Sequence, residues 1–332
     1  MVDGELERAL VTRPGRGRRL LRTLLRIAAL STILLVLAAG VGAAYETNAA
    51  RADAKLHRAP GRLVDVGGHR LHIHCTGSGS PTVVLEAGLA ESSASWEVIQ
   101  RRASAHHRVC SYDRAGYAWS EEGPSPRTAE RTAQELHALL VASGEAGPYV
   151  LVAHSFGGNT ARLFADHWRD LTAGLVLIDV TDETAVTALQ ISRPLLAVQL
   201  TVNQLVARTG LLRLRGDALV PPEATAAARA AATVVYGSGS MAAARAEAWA
   251  SVDSAAQVSA TARPGAWGDL PVVVICAAGQ PESDTEHARR IAALSSRGRP
   301  VVATTTEHYV QNAQPDLVLD EIGKVAAAGR RR

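Results

Sequence analysis

Short apolar runs recur along the chain, and longer stretches with helical spacing of apolar residues separate them. Each run is rich in β-branched side chains and is bounded by glycine, proline or polar residues, which is typical of buried strands. The runs comprise residues 71–75, 82–85, 108–112, 149–152, 174–178, 272–276 and 301–304. Strands that alternate with helices predict an α/β domain with a mostly parallel central sheet flanked by helices.

One predicted helix lies between the third and fourth runs. Ser125-Pro126 has the pattern of an N-cap followed by a first-turn proline, and Leu136 and Leu140 share one helical face. Gly144 is a typical stop signal. We therefore expect a helix that begins after Ser125 and ends before Gly144.

The run 149–152 leads directly into Ala153-His154-Ser155-Phe156-Gly157, and a helical pattern follows. A serine at such a sharp strand-to-helix corner projects from the edge of a sheet, and small neighbours allow the backbone to turn. The usual pattern is Gly-x-Ser-x-Gly; here Ala153 adds one methyl group and Gly157 is retained. The sequence therefore predicts that Ser155 is a nucleophile.

A serine hydroxyl needs a base, because at its ordinary pKa it is a poor nucleophile. Thr306-Glu307-His308-Tyr309 follows the last predicted strand, 301–304. A histidine far behind the serine matches the chain order serine, acid, histidine. We expect His308 to be the general base.

Four segments that carry this chemistry occur in a fixed order along the chain. They are 86–88 (Glu-Ala-Gly), 113–120 (beginning Asp-Arg-Ala-Gly-Tyr), 154–158 (His-Ser-Phe-Gly-Gly) and 307–309 (Glu-His-Tyr). Together they resemble the α/β-hydrolase superfamily, across about residues 60 to 325. The resemblance implies an α/β-hydrolase fold and acyl-transfer chemistry without a metal or an organic cofactor.

The same resemblance implies a division of the chain. The α/β-hydrolase core would comprise residues 60–180 and 268–328, and a helical cap, 181–267, would be inserted over the site. A cap excludes water and shapes the substrate pocket. Because this segment has few aromatic residues, we expect an aliphatic lining.

The resemblance also implies positions for the remaining site groups. The oxyanion hole would use the backbone N–H groups of Leu89 and Phe156. The acid that orients the histidine follows one of two strands, which leaves Asp179 on the first and Glu282 or Asp284 on the second. We favour Asp179, because a strand end is a firmer support than a loop, and the two alternatives stay open. Asp113 and Arg114, by the resemblance, brace the site.

An apolar segment near the N-terminus concerns location. Residues 27–45 carry no charge and would span roughly 28 Å as a helix, about the thickness of a bilayer core. Arginines are concentrated in the preceding leader, 1–26, which predicts a single-pass anchor with a cytoplasmic N-terminus. A linker, 46–59, would then lead to a catalytic domain outside the cytoplasm. The alternative is a signal peptide cleaved after Val41-Gly42-Ala43, which would yield a secreted protein. The length of the apolar segment favours the anchor.

Charge and cysteine content add two points. The formal net charge of the chain is +3, but residues 1–30 carry seven arginines and three acids, so the remainder is near −1. No basic stripe with interleaved aromatics is present, so nucleic-acid binding is not predicted. By the resemblance, Cys75 and Cys110 lie on neighbouring strands, and a bridge between them outside the cytoplasm is permitted but left open; Cys276 is expected to be a buried thiol.

The sequence thus predicts a membrane-anchored serine hydrolase, and among serine hydrolases it favours a carboxylic ester hydrolase. It would cleave an ester or amide of an uncharged, moderately apolar small molecule through an acyl-enzyme. Serine at position 155 argues against dehalogenases and epoxide hydrolases, which use an aspartate nucleophile. Two alternatives remain, a non-catalytic ligand-binding receptor on the same scaffold and an acyltransferase. No obligate protein partner is inferred.

Overall fold

The apolar runs assemble into one eight-stranded sheet in the computed structural model, which describes residues 16–184, 186–211, 213, 229, 231–279 and 282–330. The strands lie side by side in the order β1-β2-β4-β3-β5-β6-β7-β8. β2 is antiparallel to β1 and β4, and all other pairs are parallel, which confirms the predicted mostly parallel sheet. The strands are β1 (Arg62–Asp65), β2 (Arg70–Thr76), β3 (Thr82–Glu86), β4 (Val109–Tyr112), β5 (Tyr149–His154), β6 (Thr172–Ile178), β7 (Val272–Cys276) and β8 (Gly298–Val302).

Helices connect the strands and flank the sheet. They are α1 (Arg16–Leu56), α2 (Glu97–Ala103), α3 (Ala129–Ala142), α4 (Gly157–His167), α5 (Val186–Arg208), α6 (Ala232–Val235), α7 (Ser238–Trp249), α8 (Ser251–Thr261), α9 (Glu282–Ala292), α10 (Val310–Ala313) and α11 (Pro315–Gly329). Helices pack on both faces, so the central strands are buried on both sides.

Alternate residues of the central strands enter two separate hydrophobic clusters. Val84 and Leu151 pack in the cluster that contains α3 residues, while Val83, Leu85 and Val152 pack in the cluster that contains α2 and α11 residues. A strand buried on both faces has a nearly continuous apolar sequence, because neither set of alternating side chains contacts water. This burial explains why the central strands were visible as uninterrupted apolar runs.

Two edge strands differ from the prediction. β1 was not predicted; Val64 is its one buried residue, so its sequence carries little hydrophobic signal. β8 pairs with β7 over residues 298–302 and not over the predicted 301–304. No residue of β8 is fully buried, and an exposed edge strand is poorly marked by hydrophobicity.

The start of α3 also differs from the prediction. The helix begins at Ala129, and the hydroxyl group of Thr128 caps it by accepting a hydrogen bond from the Arg131 N–H at 3.4 Å. Thr128, and not Ser125, is therefore the N-cap. At the other end, Gly144 adopts a left-handed φ of 71° directly after the helix, as expected of a glycine stop.

Four helices, α5 to α8, lie between β6 and β7 in the part of the insertion that the structure describes. Leu200 of α5 and Met241 and Ala244 of α7 form a small buried cluster with Tyr117, against which Leu89 packs. The insertion thus contacts the loop that follows β3. Gly237 is the N-cap residue of α7, and Ser238 and Gly239 are the first residues of the helix.

α1 is longer than the predicted span. Residues 17–41 are exposed throughout, and the helix continues to Leu56, so most of the predicted linker, 46–59, is helical. By length and composition it could cross a membrane, although a signal sequence would meet the same criteria. Its last turns are held to the insertion by ion pairs of Arg213 with Glu46, at 2.5 Å, and with Asp53.

Cys75 and Cys110 form a disulfide. β2 and β4 are adjacent and antiparallel, and their register places the two residues directly opposite each other. The sequence had left this bridge open. Cys276 is buried at the end of β7.

Candidate active site

Ser155 occupies the corner between β5 and α4 with a left-handed φ of 50°. This conformation is unfavourable for a residue with a side chain, and the N–H of Ser155 donates to the Ile178 carbonyl at 3.0 Å, which helps to maintain it. A Cβ at Gly157 would lie 2.4 Å from the Ala87 carbonyl oxygen, and one at Gly158 would lie 2.5 Å from a methyl group of Val180. Both glycines are required by close packing.

Ala153 replaces the first glycine of the usual corner pattern without apparent crowding. It is the fifth residue of β5, is fully buried and pairs in register with Leu177 and Glu86. Its methyl group packs in the hydrophobic cluster of one sheet face. The extra methyl therefore contributes to the core and does not obstruct the turn.

His308 and Asp179 join Ser155 in a hydrogen-bonded chain. His308 Nε2 lies 3.0 Å from Ser155 Oγ, and His308 Nδ1 lies 2.6 Å from Asp179 Oδ2. Because a carboxylate accepts a hydrogen bond from Nδ1–H, Nε2 is left as the acceptor that faces the serine hydroxyl. This arrangement can remove a proton from Ser155.

Within this hydrogen-bonded chain, His308 and Asp179 each stabilise the charged form of the other. The hydrogen bond from His308 to Asp179 raises the pKa of His308, against the effect of burial. Burial alone would raise the pKa of Asp179, but His308 and the N–H of Ala277, which donates to Oδ1 at 3.2 Å, lower it overall. Asp179 therefore stays ionised and can stabilise a positive imidazole.

The structure thus places one of the three candidate acids beside His308. Asp179 directly follows β6, and its N–H donates to the Ile275 carbonyl of β7 at 2.7 Å, which fixes it between two strand ends. Glu282 is the first residue of α9; the side chains of Glu282 and Asp284 lie outside the described part of the chain.

The two expected oxyanion donors lie on the segments that flank the nucleophile. Phe156 is the N-cap residue of α4, whose first N–H groups have no partner within the helix. Leu89 lies in the loop after β3. Among the described residues, no group accepts a hydrogen bond from the N–H of Leu89 or Phe156, so both can donate to a ligand.

Arg114 connects this loop to the insertion. Its Nη1 donates to Glu86 at 2.6 Å and to the Ala87 carbonyl at 2.5 Å, and Nη2 donates to the Gly88 carbonyl at 2.8 Å. On its other side it forms a two-bond ion pair with Glu247 of α7, at 2.7 and 2.9 Å. The guanidinium is buried and fixes the carbonyl groups that precede Leu89.

Sequence reasoning assigned a bracing role to Arg114 but missed Glu247. Glu247 is fully buried on a helix otherwise lined by small apolar residues such as Ala244 and Ala248. A single carboxylate on an alanine-rich helix face was the available signal, because a charge at such a position requires a partner.

The other carboxylate of this cluster has a perturbed pKa. Burial raises the pKa of Glu86 to about 7, and the attraction of Arg114 only partly offsets that effect. The hydroxyl group of Tyr112 also donates to it. One guanidinium therefore faces two buried carboxylates, and the raised pKa means that Glu86 takes up a proton more readily than an ordinary glutamate.

A second buried pair, Glu91 and His154, links the loop that follows β3 to the loop that carries His308. Glu91 accepts hydrogen bonds from the Gly88 N–H at 2.8 Å and from His154 Nδ1 at 3.1 Å, while His154 Nε2 lies 3.1 Å from the carbonyl oxygen of His308. The ring of His154 therefore lies between Glu91 and the backbone of the histidine loop. Burial opposes ionisation of Glu91, but His154 nevertheless lowers its pKa. Sequence reasoning did not identify Glu91.

A cavity of about 250 Å³ lies beside the reacting groups and contacts Ser155, Asp179 and His308. A larger cavity, of about 690 Å³, lies between the end of α1 and α2 and contacts none of the three. Of these two cavities among the described residues, the smaller one adjoins the Ser155 hydroxyl that is hydrogen-bonded to His308, so its chemistry and not its volume makes it the candidate site.

Comparison with known proteins gives the same fold. A family model described as the alpha/beta hydrolase fold matches residues 81–312. An uncharacterized protein of Bacillus subtilis is 35% identical over 106 residues, which is 32% of this chain and 42% of that protein. The chain spans less than half the length of the first curated relatives that it matches.

Two solved structures illustrate the likeness. An esterase from Thermogutta terrifontis superposes with a TM-score of 0.60 at 22% identity, covering 80% of this chain and 98% of the esterase. A variant of a putative epoxide hydrolase from Pseudomonas aeruginosa superposes with a TM-score of 0.67 at 17% identity, covering 81% and 96%. At these identities the likeness shows the fold alone.

Proposed function

The chain belongs to the alpha/beta hydrolase family, and on that premise we propose that it is a serine hydrolase. Ser155 is the nucleophile, His308 the general base and Asp179 the orienting acid. The observation that carries this proposal is the chain of hydrogen bonds from Asp179 through His308 to the Ser155 hydroxyl, at 2.6 and 3.0 Å. A serine paired with a base that is itself paired with an acid is the arrangement that activates a hydroxyl group.

In the first half-reaction, Ser155 Oγ bonds to the ester carbonyl carbon while its proton passes to His308 Nε2. The carbonyl oxygen becomes an anion that accepts hydrogen bonds from the N–H groups of Leu89 and Phe156. Asp179 stabilises the imidazolium that forms. Collapse of the intermediate breaks the bond to the leaving alcohol, which takes the proton from His308, and the acyl group stays on Ser155.

In the second half-reaction, water takes the place of the leaving alcohol. His308 removes a proton from water, hydroxide bonds to the acyl carbon, and the Ser155 oxygen leaves with the proton returned by His308. The products are a carboxylic acid and the original enzyme. A second alcohol in place of water would make the same site an acyltransferase.

We propose an uncharged, moderately apolar carboxylic ester as the substrate. Leu196, Leu200 and Met241 of the insertion pack next to Leu89 in an apolar cluster that also contains Tyr117 and Tyr236. An apolar surface next to the proposed oxyanion donors favours a neutral acyl group, because burying a charge there would cost free energy without a partner.

We further propose that α1 is an uncleaved single-pass anchor and that the catalytic domain lies outside the cytoplasm. The uncharged segment 27–45 and the arginines before it support this orientation. The disulfide between Cys75 and Cys110 fits an oxidising compartment. The mass of the N-terminal peptide of membrane-extracted protein tests this: a chain that begins near Ala44 would show that α1 is a signal peptide.

The nucleophile is tested by labelling the full chain with a fluorophosphonate and locating the adduct by peptide mass. We expect labelling and ester turnover in the wild type and neither in Ser155→Ala. The matched control is Ser104→Ala, which removes a hydroxyl at the end of α2 and should change neither. Labelling that survives in Ser155→Ala would refute the proposed nucleophile, and tight ester binding without turnover by the wild type would favour the receptor.

A further inference from the structure

The outer face of α5 carries an exposed apolar stripe. Its residues follow one another at intervals of four, three, four and three, which places them on one face of the helix. Their exposed fractions lie between 52% and 74%, although all are large hydrophobic residues. We call this set the α5 stripe; it comprises Ile191, Leu195, Val198, Val202 and Leu205. Contiguous exposed apolar surface of this kind marks a site of interaction.

The surroundings of the α5 stripe have the composition of a membrane interface. α5 contains no acidic residue, and its charged residues are Arg193 and Arg208. On the neighbouring helix α7, Trp249 is 57% exposed, and the guanidinium of Arg193 lies 5.1 Å from the centre of its ring. Tryptophan and arginine beside an aliphatic stripe are typical of helices that lie in the headgroup region of a bilayer.

The end of α5 meets α1 at the point where the apolar segment of α1 ends. A Cβ at Gly42 would lie 2.8 Å from the Thr209 carbonyl oxygen, and one at Gly210 would lie 3.1 Å from the Tyr45 ring. Up to Val41, α1 is exposed. The residues of α1 up to Val41 and the α5 stripe are thus both exposed, and the two helices meet at the end of α5.

We propose that the α5 stripe and Trp249 lie on the surface of the same bilayer that α1 crosses. This inference rests on the proposed anchor and on the proposed hydrolase activity, and it deepens both. The occupant is lipid, because the end of α5 contacts α1 where the apolar segment of membrane length ends, and because the cations of α5, without acidic neighbours on that helix, complement anionic headgroups.

The opposite face of α5 lies over the proposed oxyanion loop. Leu196 and Leu200 pack in the cluster that contains Leu89 and Ala90. One helix, about 10 Å thick, therefore separates lipid from the loop. This placement fits a neutral ester that is dissolved in the bilayer and reaches Ser155 without crossing bulk water.

The proposal is tested by spin labelling of the full chain reconstituted in vesicles of phosphatidylcholine with a minor fraction of phosphatidylglycerol. In a Cys276→Ala background, a single cysteine is introduced by Val198→Cys and modified with a nitroxide. Collisions with oxygen, which concentrates in lipid, are compared with collisions with a water-soluble nickel chelate. Two matched variants are Leu30→Cys in α1 and Val141→Cys, an exposed valine on α3 that is 62% exposed.

We expect nitroxides at positions 198 and 30 to favour oxygen, and the nitroxide at position 141 to favour the nickel chelate. A nickel-accessible label at 198 together with an oxygen-accessible label at 30 would overturn the docking proposal and leave the anchor intact. Nickel access at both would overturn docking and anchor together. Dipolar broadening at 198 that persists as lipid is added would show that a second copy of the chain covers the stripe, which also overturns the proposal. None of these results depends on catalytic activity.

A second measurement connects docking to catalysis. Val198→Glu places a charge in the stripe, and Val141→Glu is the matched control. We expect Val198→Glu to lower the rate on an ester dissolved in the vesicles roughly tenfold while the rate on a short water-soluble ester is unchanged. Equal rates for both variants on the vesicle-borne ester would contradict a role for the stripe in substrate access. If the wild type hydrolysed neither the vesicle-borne nor the water-soluble ester, the proposed hydrolase would be refuted instead.

Discussion

Replacing Glu247 by glutamine should show how strongly the insertion is coupled to the proposed oxyanion loop after β3. Glu247 Oε1 accepts a hydrogen bond from Arg114 Nε at 2.7 Å, and Oε2 accepts from Arg114 Nη2 at 2.9 Å and from the Tyr117 hydroxyl at 2.7 Å. In Glu247→Gln the amide oxygen can keep the two bonds of Oε2. The amide nitrogen then faces Arg114 Nε, donor against donor, in a site from which water is excluded.

The magnitude follows from these contacts. Loss of one hydrogen bond to a charged group in the interior costs about 1.5–3 kcal/mol. Removing a partner from a buried ion pair costs about 3–5 kcal/mol, but Glu86 still contacts the guanidinium at 2.6 Å. We therefore expect Glu247→Gln to lower the free energy of unfolding by about 3 kcal/mol. The catalytic constant should fall more than KM rises, because Arg114 positions the carbonyls beside the proposed oxyanion donor Leu89.

The assay is urea unfolding of the full chain in detergent micelles, followed by ester kinetics on the folded variant. Glu121→Gln is the matched control, since Glu121 also forms a two-bond ion pair, with Arg70, but both side chains are about half exposed, at 41% and 54%. An exposed pair contributes about 0–1 kcal/mol. Equal destabilisation by the two substitutions would refute the argument that burial makes the Arg114 cluster costly to break.

Three further predictions concern charge at the site. Asp179→Asn should lower the catalytic constant about 10⁴-fold, while Glu282→Gln should change it little. A comparable loss in Glu282→Gln on the same ester would show that Glu282, and not Asp179, orients His308. Because Asp179 raises the pKa of His308, and the base must be neutral, we expect kcat/KM to fall in acid at a midpoint above that of an ordinary histidine; a midpoint below it would contradict this. The pKa of Glu86 is raised from 4.5 to about 7, so the folded state binds the carboxyl proton of Glu86 more tightly than the unfolded state does. The resulting contribution to the stability of the fold is complete below about pH 4.5 and is lost as the pH rises to about 7. Glu86→Gln, which stays neutral, should gain stability relative to the wild type over that range by about 3 kcal/mol, and parallel pH profiles in urea unfolding would exclude the raised pKa.

Much of the fold could be predicted because its determinants are local. The central strands β3 to β7 are buried on both faces, so their sequences are mostly apolar, and the predicted and observed bounds agree closely. β1 and β8 lie at the two edges of the sheet, where few side chains are buried, and they were missed or displaced. Glycine and proline signals located the end of α3 but not its start, because the N-cap residue is Thr128 and not the predicted Ser125.

The residues of the candidate site also include some that local sequence could identify and one that it could not decide. Ser155 and His308 could be selected from their immediate neighbours, a strand-to-helix corner with required glycines and a loop behind the last strand. Asp179 was favoured over Glu282 and Asp284 as a strand-end residue, but the sequence left all three open, because three carboxylates follow two strands. Only the folded chain places the Asp179 carboxylate 2.6 Å from His308 Nδ1.

Residues that are neighbours in the chain suffice to predict the α/β alternation, the serine corner and a helix of membrane length. The partners of the buried charges, and the connection between α1, α5 and the candidate site, depend instead on the packing of the folded chain. Arg114 and Glu247 are separated by 133 positions, and no pattern along the chain records which distant groups will share one region without water. Contacts of that kind depend on how the helices and strands pack, and so they appear only when the whole chain has folded.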